Sequence, residues 1–141
     1  MKLISCLAAS VMLSQMVHSA SAEVVVVVAA DSPVNSLSKS HIANIFLGRN
    51  NYLDGRIRVT PVDQPEGSQA RQEFYENVVN WNPASVKAHW SKMIFTGRGK
   101  PPRQVASDTA VKALVASSPG AIGYIDAASV DSSVKVLKLA Q

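Results

Sequence analysis

The 141-residue chain carries one cysteine, Cys6, and that residue falls within the first 22. Once those are removed, disulfides, thiolate catalysis and Cys-ligated metal sites are all excluded. Aromatic residues make up only 6% of the chain, so the core must be largely aliphatic. His41 and His89 have no metal-ligand spacing with Asp, Glu or each other, and no metal is expected. No apolar run approaches the ~20 residues needed to cross a bilayer. Charge is sparse at 17%, and the formal net charge of +4 drops to +3 without Lys2. Scattered basic residues in a mild excess suit an anionic ligand or surface better than nucleic acid.

The N-terminus reads as a secretory signal peptide. Lys2 supplies the positive start, Leu3 to Val17 is mostly apolar, and Ala20-Ser21-Ala22 forms a small-residue cleavage site. Residues 1–22 are therefore expected to be removed and 23–141 to form one periplasmic α/β domain, a length able to bury a core. Leu3-Ile4-Ser5-Cys6 is too poorly preceded by apolar residues to read as a lipidation box.

Glu23 to Ala30, EVVVVVAA, is a β-branched run read as a strand buried on both faces. Ser38 caps a helix whose inner face is Ile42, Ile45 and Phe46, with Gly48 as its stop signal. Arg56 to Val62 alternates as a second strand. The chain then reads Thr60 to Val79, TPVDQPEGSQARQEFYENVV. A Pro-Glu-Gly turn leads to Ser68 as N-cap, and Ala70, Phe74 and Val78 recur every four residues as a helix face requires. Asn82 and Pro83 open a third helix, with Val86, Trp90, Met93 and Ile94 on its face and Phe95 also expected in the core. TGRGKPPR forms a loop, a helix capped at Ser107 or Asp108 follows, and Ala121 to Ile125 and Ser133 to Leu139 are the last strands. Alternating strands and helices imply an α/β fold with a mixed β-sheet flanked by helices.

A strand, a glycine turn and a helix start together place orphan N–H groups and the positive end of the helix dipole where an anion is favoured. Arg71, in the first helical turn, sits against that dipole; a bound anion or a pairing with Glu66 or Asp63 would offset the cost. Ser68 lacks the G-x-S-x-G setting of a nucleophile, so a structural cap is the simpler reading. Gly97-Arg98-Gly99-Lys100 fails the spacing of a phosphate-binding P-loop, yet its glycines and cations make an anion-friendly loop.

Taken together, VDQPEGSQARQEFY, IFTGRGKPP and PGAIGYID resemble the periplasmic phosphate-binding proteins of ABC importers. The likeness covers most of residues 33 to 126, including SLSKSHIANIFLG with Tyr52 and Asp54-Gly55. It implies one lobe of a type 2 periplasmic-binding-protein fold, no enzymatic activity and no cofactor. It also implies a phosphate or related oxyanion site at Gly67, Ser68, Gln69, Ala70 and Arg71. Two departures stand out. The family has two lobes, whereas this chain has length for one. The family's phosphate-binding arginine, two residues before its Asp, is Gln64 here; its second glycine and threonine are Gln69 and Ala70. Arg71, or Arg98 and Lys100 as secondary anion contacts, would have to replace the lost cation. The implied partners are phosphate or a similar oxyanion, an ABC permease or other envelope protein, and a second copy of the chain forming a homodimer. The alternative is an interaction or sensor-partner module that has lost its solute. Intact-mass measurement of the exported protein should show a chain starting at Glu23; a lipid adduct on Cys6 would overturn this reading.

Overall fold

The computed structural model describes residues 23–141, so the signal-peptide reading lies outside them. The strands are β1 Val24–Ala29, β2 Ser36–Ser38, β3 Thr60–Asp63, β4 Arg103–Gln104, β5 Ala121–Asp126, β6 Val134–Val136 and β7 Lys138–Ala140. The helices are α1 Lys39–Phe46, α2 Gln69–Phe74, α3 Pro83–Phe95 and α4 Asp108–Ser117. A π-helical turn at Tyr75–Val79 continues α2 and ends at Asn80 in the left-handed conformation. A 3₁₀ turn at Ala127–Ser129 follows β5.

Five strands form one mixed sheet in the order β4-β3-β5-β1-β6. β3 runs parallel to both β4 and β5, whereas β1 is antiparallel to β5 and β6. Successive side chains of a strand point to opposite faces, and β1 feeds both. Val26 and Val28 belong to the apolar layer under α1, α2 and α3, while Val27 belongs to the layer under α4. The valine run is thus buried on both faces, as its composition implies. In the larger layer the Phe74 ring stacks on Tyr124 at 4.1 Å and meets Phe46 edge-on at 4.6 Å. A handful of aromatics therefore organise one side of an otherwise aliphatic core.

Three readings are corrected. The Arg56–Val62 strand is shorter, because the Asp54 side chain accepts from the N–H groups of Arg56 and Ile57 and folds this stretch into a turn. The ladder begins only at Thr60. The Ser133–Leu139 strand is two strands. Leu137, buried beside β1, donates to Val26 and breaks the run; β6 pairs with β1, and β7 leaves to pair with β2 in a separate parallel ribbon. Finally, Phe95 and Ile94 are not core residues, being 93% and 58% exposed. The nine-residue step from Val86 to Phe95 turns through about half a revolution of helix, so Phe95 points away from the buried face of α3.

Gly120 sits in the turn from α4 into β5, packed against the chain before β3. A Cβ at this position would lie 2.1 Å from the Arg58 carbonyl oxygen. The obstacle is backbone and cannot rotate aside. Gly120→Ala should therefore destabilise the fold by at least about 1–3 kcal/mol, read as a lowered urea midpoint; an unchanged midpoint would contradict this packing.

Candidate functional site

The turn from β3 into α2 is built from residues 63–71. Ser68 N–H donates to the Pro65 carbonyl at 3.0 Å, and Gly67 between them has φ +86°. This is the left-handed position that a type II turn requires and glycine fills without strain. Ser68 then caps α2, its hydroxyl oxygen accepting from Arg71 N–H at 3.3 Å. The N–H groups of Gln69 and Ala70 come next, at positions where a helix offers no internal acceptor.

Behind the turn lies a buried carboxylate. Asp63, 1% exposed at the end of β3, accepts hydrogen bonds from the hydroxyls of Tyr75 and Tyr124 and from Gln64 N–H. The Tyr75 bond is 2.7 Å long. Arg71 completes the cluster, its Nε 3.6 Å from Asp63 Oδ1 and its guanidinium carbon 5.2 Å from the centre of the Tyr75 ring. The cation in the first turn of α2 is thus compensated by Asp63. Burial pushes both phenols well above the usual phenol range, and the charge of Asp63 adds to the effect.

Glu66, Gly67, Ser68, Arg71, Gln72, Tyr75, Pro83 and Val86 line a cleft of about 90 Å³ between this turn and the start of α3. A water needs about 10–15 Å³ on this measure, so the cleft has room for several waters or one small oxyanion. It offers the Ser68 hydroxyl and one side of the Arg71 guanidinium against largely apolar walls.

Arg98 and Lys100 are not brought to this cleft. Pro83 at one end of α3 lines it, whereas both cations follow the other end. The 13 residues of α3 separate the two by roughly 20 Å at 1.5 Å per residue. Lys100 instead lines a distinct hollow with Asn50, Asn51, Thr60 and Arg103. Gln64 is also structural: its side-chain amide donates to Asp108 Oδ1 at 2.8 Å and to the Tyr124 carbonyl at 2.9 Å. Asp108 in turn accepts from Asp126 N–H and the Ser129 hydroxyl. Asp63 is the residue that sequence reasoning undervalued. It was legible only as a partner for Arg71, because Tyr75 and Tyr124 lie 12 and 61 residues away. Among the described residues no group of three or more His, Cys, Asp or Glu could hold a metal ion.

No family model matches the sequence. Solved structures do match the fold. An ABC-type phosphate transport receptor from Vibrio cholerae superposes with a TM-score of 0.64 at 21% identity, over 82% of this chain and 45% of that one. A Clostridium perfringens structure of the phosphate ABC transporter substrate-binding type, solved with bound phosphate, gives 0.66 at 22% identity over 82% and 44%. PstS from Borrelia burgdorferi gives 0.61 at 12% identity over 82% and 46%. The chain therefore has a periplasmic-binding-protein fold and spans less than half the length of these structures.

The two phenols set a pH dependence. Their folded pKa values are raised above the ordinary 10.0, so their stabilising contribution is fully present below pH 10 and is lost as pH rises beyond it. Above that point stability should fall by up to about 1.4 kcal/mol per pH unit for each phenol. Urea midpoints measured from pH 8 to 11.5 should show the decline, and Tyr75→Phe should make it shallower. A Tyr75→Phe profile parallel to wild type would contradict the assignment.

Proposed function

We propose that residues 23–141 form a single periplasmic half-site of the solute-binding type, which takes phosphate or a related oxyanion and does not act as an enzyme. The anion accepts from the N–H groups of Gly67, Gln69 and Ala70 and from the Ser68 hydroxyl, with the outer edge of Arg71 beside it. The observation that carries this reading is the capped α2 start opening onto a small cleft, in a fold whose neighbours include a phosphate-bound receptor. An ABC permease or other envelope protein is the corresponding partner.

Such a half-site binds weakly. Charge-assisted hydrogen bonds contribute about 1.5–3 kcal/mol each and a helix end usually less than about 1 kcal/mol. Against these stand association entropy and the hydration of an exposed oxyanion. Arg71 is already engaged with Asp63, so its charge is partly neutralised. The expected Kd for phosphate is on the order of 0.1–1 mM; tighter binding would need a second surface, from a homodimer or a partner lobe.

A backbone donor can be removed selectively. Gln69 is the first helical residue, where proline is tolerated, and Ser68 at φ −70°, ψ 146° already has the conformation that a following proline imposes. Gln69→Pro should thus keep the fold while deleting one N–H. Calorimetric titration with phosphate, sulfate and small carboxylates should show at least a tenfold loss in this variant and in Ser68→Ala. Equal binding by wild type and both variants would move the site elsewhere. No binding at 10 mM phosphate, a generous excess over the expected Kd, would favour the alternative of an interaction module without a solute.

A further inference from the structure

The far end of α3 carries a surface that the oxyanion reading does not use. Ile94 and Phe95 close the helix at 58% and 93% exposure. The chain around them has one sign of charge. From Asn77 to Ser107 there is no acidic residue, but Lys87, Lys92, Arg98, Lys100 and Arg103 all occur there, and all five are exposed. The rest of residues 23–141 holds eight Lys and Arg against ten Asp and Glu. The mild positive charge of the protein is therefore concentrated here. Among the described residues the ion pairs are Arg71 with Asp63 and Lys112 with Asp131, and neither involves these five cations.

Local geometry holds the loop cations at the end of α3 that carries the apolar pair. Gly97 adopts φ +67°, and Arg98 N–H returns to the Met93 carbonyl at 2.9 Å, so the chain doubles back at the helix end. A Cβ on Gly99 would lie 3.3 Å from the Met93 methyl and 3.8 Å from the Trp90 ring. Residues 98–100 are thus folded against the Trp90–Met93 side of the last turns of α3, at the same helix end as Lys92 and Phe95.

We propose that this tip docks on an anionic lipid bilayer. Phe95 and Ile94 enter the boundary between headgroups and acyl chains, and Lys92, Arg98 and Lys100 sit among the lipid phosphates. Weak apolar anchors need a second, electrostatic signal for stable membrane association, and both are present at this helix end. Each cation near such a surface contributes about fivefold in partitioning. A protein partner fits less well, since a specific interface buries about 800 Å² per side around a packed core. Two side chains on a convex helix end offer a bilayer an insertion point but offer a protein no such area. The proposal is independent of the oxyanion site.

The test is sedimentation of residues 23–141 with phosphatidylcholine vesicles, with and without half phosphatidylglycerol, at 50 and 500 mM NaCl, salt levels that move the Debye length several-fold. Binding should appear with the anionic vesicles at low salt. It should fall at least tenfold at high salt or on neutral vesicles. Phe95→Ser should weaken it about tenfold, and Arg98→Gln with Lys100→Gln about as much. Lys138→Gln, on the separate β2–β7 ribbon, should leave it unchanged. Phe95 is so exposed that its replacement should not shift the thermal midpoint, which is measured alongside. Absence of binding to anionic vesicles, equal binding to neutral ones, or undiminished binding by Phe95→Ser would each overturn the proposal. A dimer abolished by Phe95→Ser, with no vesicle binding, would assign the tip to a second copy instead.

Discussion

The carboxylate of Asp63 is the constraint on which the rest of the site depends. A charge this deeply buried is tolerated only when it is paired and hydrogen-bonded, and its partners come from three separate elements: α2 through Arg71, the π turn through Tyr75 and β5 through Tyr124. Removing a buried partner of this kind typically costs about 3–5 kcal/mol, far more than an exposed ion pair contributes. The cluster therefore fixes where α2 starts relative to the sheet, and with it the direction in which the orphan N–H groups of the 65–71 turn face.

The same cluster limits what the turn can do. An arginine whose guanidinium lies on the Tyr75 ring and beside Asp63 is held rigidly, but its charge is shared. Gln64, at the position where the resemblance implies an arginine, is turned inward to tie β3 to α4 and β5. The turn leaves helix-start N–H groups without internal acceptors, while most of its nearby side-chain charge serves the fold. The match spans less than half the length of the solved structures of like fold.

α3 separates two different surfaces. Its start lines the small cleft at the Ser68 turn, and its end presents an apolar pair among unpaired cations. One helix of 13 residues thus keeps anion-favouring backbone and anion-favouring side chains apart, and the second group faces outward where a large, flat anionic surface can reach it.

Much of the fold was legible because its signals are local. A run of five valines has no exposed face, Ser38, Ser68, Asn82 and Ser107 can each cap only the helix that follows, and Gly67 must take the left-handed turn position. These are decided by neighbouring residues and by steric limits, so the sequence by itself determined the four helices, the strands β1 and β5 and the turn where the candidate site lies, but not the short strands β2 and β4. What only tertiary structure decided is non-local. The convergence of Tyr75 and Tyr124 on Asp63 depends on which strands pair. The split of the last strand at Leu137 depends on a pocket beside β1, and the exposure of Phe95 depends on which stripe of α3 meets the core. Arg98 and Lys100 were read as companions of the Ser68 turn on charge alone, and the length of α3 sets them apart. Charge in a sequence names the kind of partner, but distance is assigned only when helices and strands have been packed.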